Sequence, residues 1–262
     1  MQENGPLDSS CIQGLTTRII GSVINFYGNV SSTNELALEL ARAGCEEGTV
    51  VVASSQSGAK DRSGRLLSSP DGGLYLSTVL KPNVEPSEVS ALPLILGLAV
   101  SKTIQCTTLL GAEPVWPGDV TMNGKRVCHI TIEHISKGRN LDLIIAGIGM
   151  NVNNLVSGPS EEARTSTSLR AEIGRTLDLA EVLRDLLYSL DLLYSRFLFG
   201  QTASILDEWT ERATLKGKDV VVETVQVRSA GKALGIDSSG ALIISEKGVL
   251  RRIVPEDCLR VL

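Results

Sequence analysis

The feature of this chain that most restricts its fold is a change of texture near Thr214. Before that point, apolar segments alternate between helical and strand spacing. After it come only short strands, DVVVETVQV, AGKALGID, ALIISEKG and VLRRIV, divided by Gly and Ser turns. Such a switch reads as an α+β domain over residues 1–213 followed by a small β-barrel over residues 214–262. With 262 residues and 42% hydrophobic content, the chain has apolar material for one or two ordinary cores.

Within the first part, Ser32-Thr33-Asn34-Glu35 before LALELARAG predicts a helix. Ser32 and Glu35 have capping-box spacing, and Gly44 supplies a left-handed stop. The β-branched run in Thr49 to Ser54 predicts a buried strand, and Leu74 to Leu80 a second. Between them, Ser55 to Gly73 has no apolar period and is rich in Ser, Gly, Lys, Arg and Asp, the texture of a functional or mobile loop. A helix is expected from about Ser87 to Ile104, bent at Pro93. Asn123-Gly124 between VTM and KRVCHITIEH is a type I′ hairpin signal. Strict alternation along its second arm puts Arg126, Cys128, Ile130 and Ile132 on one face and Val127, His129, Thr131 and Glu133 on the other. Leu141 to Gly147 predicts another strand, Asp178 to Phe199 a long helix stopped by Gly200, and a shorter helix surrounds Trp209.

Charge and targeting narrow the classes of function. The net charge is -5, which gives no basic field for duplex DNA or anionic lipid. No uninterrupted apolar run reaches the roughly 18 residues of a spanning helix, so no membrane partner is expected. Met1 to Ile20 lacks the order of a signal peptide. The five cysteines are odd in number and contain no C-x-x-C pair, which suits reduced thiols and a cytoplasmic location. Cys128, His129 and His134 lack a nearby fourth ligand, and no metal site is expected from them. No phosphate loop of the G-x-x-x-x-G-K-[ST] type is present, and Val152 stands where a dinucleotide fingerprint requires glycine. Lys60, Arg62 and Arg65 in the Ser55 to Gly73 loop suit folding over an anion.

The ordered series Ser32-Thr33-Asn34, Gln56 and the loop, Gly73-Leu74-Tyr75-Leu76-Ser77, Trp116-Pro117-x-Asp119, Asn123-Gly124-Lys125-Arg126-Val127 and Gly147-Ile148-Gly149-Met150-Asn151-Val152-Asn153 resembles the biotin protein ligases. Thr167-Ser168-Leu169 and Gly235-Ile236-Asp237-x-x-Gly240-Ala241-Leu242 extend the resemblance, which runs from about Phe26 to the C-terminus. It implies an α+β fold with a class II synthetase-like mixed sheet and helices, and a C-terminal SH3-like β-barrel. It also implies an activity: ATP activates biotin to biotinyl-5'-AMP, with Mg2+ on the phosphates, and a lysine of a carrier protein then takes the biotinyl group. The implied partners are the small-molecule substrates and a biotin carboxyl carrier domain, and a homodimer stays open. Only about 25 residues precede the first motif, too few for the winged helix of repressor members, so no nucleic-acid partner is expected.

By the same resemblance, Ser32, Thr33, Asn34, Gln56, Lys60, Asp61, Arg62, Trp116 and Arg126 would bind biotin, with Ser32, Thr33 and Gln56 on its ureido ring. Arg65, Asp119 and Asn151 would serve the nucleotide, Asp119 ordering phosphate or metal, while Arg62 and Arg126 would be the catalytic pair. Each has a plainer alternative: Ser32 can cap its helix, Trp116 can be core, and Asn151 can satisfy a turn. The chain also departs from the family. A loop that reads roughly GRGRxGRxW in the family is here Ala59-Lys60-Asp61-Arg62-Ser63-Gly64-Arg65-Leu66-Leu67. KWPND is here Val115-Trp116-Pro117-Gly118-Asp119, a catalytic lysine is Arg126, and His129 fills a glycine position. Asp61 and Val115 together remove positive charge where a triphosphate would sit, so reduced turnover is expected. Two readings stand beside the ligase: a non-catalytic member that binds biotin or a carrier domain, and a lipoate-type acyl transferase.

Overall fold

Seven strands pair into one mixed sheet: β1 (Ile24–Val30), β2 (Val50–Gln56), β3 (Leu74–Leu80), β4 (Glu113–Val115), β5 (Asp119–Met122), β6 (Lys125–Lys137) and β7 (Asn140–Met150). The computed structural model describes residues 7–137, 140–156, 161–224 and 227–261. The sheet order is β1-β2-β3-β7-β6-β5-β4; β1 and β2 run parallel, and the other neighbours are antiparallel. The parallel pair requires a crossover, which α1 (Thr33–Arg42) supplies. Ala37 and Ala41 of α1 pack on Val51, Val79, Leu143 and Ile145, closing one face of the sheet. The opposite face is covered by α2 (Leu92–Thr108), with α5 (Leu179–Leu198) and α6 (Thr202–Arg212) packed behind it. Two short helices, α3 (Glu161–Thr165) and α4 (Leu169–Ile173), follow β7. All seven residues of β3 are buried because helices lie on both sides of it, which is why its sequence shows no apolar–polar alternation, Ser77 and Thr78 being its two small polar members.

Five strands make a second, antiparallel sheet: β8 (Asp219–Thr224), β9 (Arg228–Ile236), β10 (Leu242–Glu246), β11 (Val249–Ile253) and β12 (Cys258–Val261), in the order β11-β10-β9-β8-β12. The four strands expected from the sequence form, and β12, which was not expected, completes the sheet against β8. Val222, Ala233, Leu242 and Ile244 share one apolar core with α2. Trp116 Nε1 also donates to the Gly240 carbonyl oxygen at 2.9 Å, tying the two sheets together. Residues 225 and 226 of the first expected barrel strand, and residues 1–6 of the N-terminal segment read for a signal, lie outside the described residues.

Local rules hold at several ends. Asp178 caps α5 through a bond from Ala180 N, and Gly200 takes φ 73 beyond its last turn. Asn123 and Gly124 take φ 50 and 75 in a two-residue turn that pairs Met122 with Lys125. Other expectations are corrected. Ser32 is the N-cap of α1 by position, yet its side chain makes no capping bond, so the capping box with Glu35 does not form. The helix expected from Ser87 to Ile104 starts as a 3-10 turn over Pro86–Ala91 and continues to Thr108. Pro93 falls in the first turn of α2, where the missing N–H costs nothing. The whole stretch Pro86–Thr108 is long and apolar enough to span a membrane, but 83% of its most apolar window is buried, the signature of a core helix.

Candidate active site

The loop between β2 and β3 folds back on itself, with Gln56 paired to Ser69 and Lys60 to Leu66. Asp61 organises its tip: Oδ1 accepts from Ser63 N at 2.8 Å, Ser63 Oγ at 2.6 Å and Arg65 N at 3.0 Å. Burial opposes ionisation of this carboxyl, but the bonds from Ser63 and Arg65 hold it below the usual carboxylate range. The negative charge expected to repel a triphosphate is therefore spent on the loop's own donors. Arg62 turns inward, where Nη2 donates to the Ile130 carbonyl oxygen at 2.5 Å and Nη1 lies 3.7 Å from Asp119. Gly118 makes this placement fit, since a Cβ there would stand 2.8 Å from Arg62 Nη2. The exchange of the family's asparagine for Gly118 and the inward course of Arg62 are thus one change.

At the start of α1, Thr33 N and Oγ1 both donate to Gln56 Oε1, at 2.8 and 3.0 Å, and Ser77 Oγ lies 2.7 Å from Thr33 Oγ1. Asn34 is committed as a brace: Nδ2 donates to Thr131 Oγ1 and Glu133 Oε1, and Oδ1 accepts from Ser77 Oγ at 2.6 Å. Gly147 permits this, because a Cβ would approach Asn34 Oδ1 to 2.2 Å. The Ser32 hydroxyl, freed from capping, lines a cavity of about 70 Å³ with Thr33, Asn34, Gln56, Lys60, Arg126 and Asn151. Asn151 also satisfies the turn after β7, donating to Thr167 O at 3.0 Å and accepting from Asn154 Nδ2 at 2.9 Å.

A second cavity of about 730 Å³ opens beside the first, lined by Asp61, Arg62, Arg65, Trp116, Asp119 and Arg126, and by Lys218 from the C-terminal part. Trp116 is 1% exposed and belongs to the core as well as to this wall. Leu67, Arg126 and His129 line both cavities and so mark their boundary. The residues expected in the site divide between the two cavities: Ser32, Thr33, Asn34, Gln56, Lys60 and Asn151 line the small one, Asp61, Arg62, Arg65, Trp116 and Asp119 the large one, and Arg126 both. Asp61, Arg62 and Trp116, expected with biotin, therefore stand apart from the α1 group, and Asn151, expected with the nucleotide, stands beside it.

Strict alternation put Arg126 and His129 on opposite faces of β6, and this is corrected. Val120 pairs with Cys128 but Thr121 with Arg126, a bulge that leaves Val127 unmatched on β6. Arg126 and His129 thereby converge on Asp119, with Arg126 Nη1 at 3.9 Å and His129 Nδ1 at 2.5 Å. Burial opposes ionisation of Asp119, but His129, Arg62 and Arg126 hold its carboxyl well below the usual carboxylate range. Burial, with help from Arg62 and Arg126, holds His129 below the ordinary histidine range against the pull of Asp119. Its Nε2 is buried and has no hydrogen-bond partner among the described residues. Lys218 and the orientation of His129 escaped the sequence reading. Lys218 lies far along the chain from the motifs, and a single strand gives no sign of a bulge.

The chain is similar to known proteins over nearly its full length. The biotin/lipoate A/B protein ligase family model matches residues 27–151. The bifunctional ligase/repressor BirA of Bacillus spizizenii is 30% identical over 260 residues, 98% of this chain and 80% of that protein. The biotin--[acetyl-CoA-carboxylase] ligase of Paracoccus denitrificans is 30% identical over 81% of this chain and 90% of its own length. Among solved structures, the biotin protein ligase of Aquifex aeolicus in complex with biotin and ATP superposes with a TM-score of 0.78 at 27% identity, covering 92% of this chain and 99% of that one. At 30% identity to two ligases that it covers to 80% and 90% of their lengths, the chain belongs to the biotin/lipoate protein ligase family.

Proposed function

We propose that this protein is an ATP-dependent biotin–protein ligase that forms biotinyl-5'-AMP and passes the biotinyl group to a lysine of a carboxyl carrier domain. The observation that carries the reading is the pair of adjoining cavities that meet at Arg126 and His129. The smaller offers hydroxyl and amide groups from Ser32, Thr33 and Gln56, suited to a ureido ring. The larger presents Arg62, Arg65, Arg126 and Lys218, suited to phosphates. A carboxylate held in the first and an α-phosphate held in the second would meet at Arg126, where cationic charge favours the exchange of one anion for another. Mg2+ would arrive with ATP as part of the substrate. Among the described residues no group of three His, Cys, Asp or Glu side chains is placed to hold a resident ion, and the Asp119 carboxylate is already matched by Arg62, Arg126 and His129. The acidic net charge supports a reading without nucleic-acid binding, and the five cysteines, odd in number and without a C-x-x-C pair, support a reducing, cytoplasmic setting. Isothermal titration with biotin, with and without ATP, tests the proposal together with pyrophosphate release. Tighter biotin binding with ATP and release of pyrophosphate are expected. Biotin binding that ignores the nucleotide, with no pyrophosphate, would favour a non-catalytic binding module.

A further inference from the structure

We infer that His129 accepts the proton that the attacking lysine amine sheds during acyl transfer, with Asp119 holding its ring in place; this rests on the ligase reading above. Three observations meet here. First, Nδ1 lies 2.5 Å from the Asp119 carboxylate, which only accepts, so Nδ1 carries the hydrogen and Nε2 is a bare acceptor. Second, that Nε2 is buried and without a partner among the described residues, although buried polar atoms are normally paired. Third, His129 lines both cavities. An acyl adenylate that fills both would have its reacting carbon at the boundary that His129 lines.

The groups around the ring are Asp119 from β5, Arg126 on β6, and Asp61 and Arg62 from the loop. Burial, with Arg62 and Arg126, favours a neutral imidazole at rest, and Asp119 offers a carboxylate once the ring gains charge. The step balances. The lysine nitrogen forms a bond to the acyl carbon and becomes cationic, its proton passes to Nε2, and the bond from the acyl carbon to the oxygen that bridges to phosphorus breaks, so that AMP leaves with that oxygen and the electron pair. The imidazolium that remains is stabilised by Asp119 and returns its proton to solvent when the site opens.

The test supplies synthetic biotinyl-5'-AMP, so that transfer is read apart from activation, and compares two nucleophiles: α-N-acetyl-lysine amide and hydroxylamine. The adduct of hydroxylamine is acidic enough to lose its proton to water. His129→Gln is expected to slow transfer to the lysine amide about 100-fold, the scale of a lost general base, and to slow hydroxylamine only a few-fold. His129→Gly, which installs the residue of the family motif, is expected to regain lysine transfer when imidazole is added. Equal slowing of both nucleophiles, an unchanged lysine rate, no rescue by imidazole, or a wild-type chain that does not accelerate transfer from the supplied adenylate would each overturn the inference. Failure to make the adenylate from biotin and ATP would instead overturn the function proposed above and leave this test standing.

Discussion

Asp119 and His129 are register partners across β5 and β6, and the histidine Nδ1 sits 2.5 Å from the aspartate Oδ1. The pair gives stability a definite pH dependence. His129 is held below the ordinary histidine range, so between its folded value and about 6.5 the unfolded chain binds more protons than the folded one, and stability falls as pH drops through that window. Asp119 is shifted downward as well: its contribution is fully present above about 4 and is lost only in stronger acid. Chemical denaturation at about pH 8 and about pH 5 should therefore show a loss for wild type that His129→Gln reduces. An equal loss in both proteins would mean that another group sets the slope.

Gly118 should control the loop from a distance. In Gly118→Asn the new Cβ meets Arg62 Nη2 at 2.8 Å, the far end of a flexible side chain, and Pro93 Cβ at 3.1 Å, so the arginine gives way first and Pro93 by a few tenths of an ångström. Global stability should change by about 1 kcal/mol or less, while amide exchange over residues 59–67 should rise several-fold as the bond from Arg62 to Ile130 is lost. Unchanged exchange in that loop would show that Arg62 does not anchor it.

Lys218 supplies charge that Val115 cannot. Both line the larger cavity. Lys218→Ala should weaken ATP binding roughly five-fold, the scale of one partly solvated charge contact, and Val115→Lys should recover the loss when added to it. Calorimetric titration of ATP into the single and double variants measures this. If Val115→Lys tightens ATP no more in the variant background than in wild type, the two positions do not serve the same phosphates.

Gly147 is predicted to tolerate no side chain. Its added Cβ would approach Asn34 Oδ1 to 2.2 Å and Thr131 Oγ1 to 2.6 Å, both held in a closed network with Ser77 and Glu133. Gly147→Ala should cost about 1–3 kcal/mol in urea denaturation and weaken biotin binding by displacing the start of α1. Wild-type stability in this variant would mean that the network yields without strain.

The sequence by itself determined what depends on neighbours along the chain. Leu74 to Leu80 is a strand because its residues are mostly apolar or β-branched and bounded by turn residues. Asn123-Gly124 turns because both residues accept positive φ, and α5 begins and ends at Asp178 and Gly200 for reasons visible within one helical turn. The ordered motifs likewise marked which residues would gather in the site. What only the tertiary structure decided is how those residues use their charges. The bulge opposite Val120 and Thr121 turns Arg126 toward the side that His129 faces, against the alternation of a regular strand. Asp61, which by charge alone opposes phosphate, is consumed by the loop it replaced a glycine in. Asp119 is surrounded by Arg62, Arg126 and His129, and Lys218 reaches the same cavity from the second sheet. Register, bulges and the meeting of distant segments are fixed by packing and hydrogen bonding over the whole fold, and no periodicity within one segment records them.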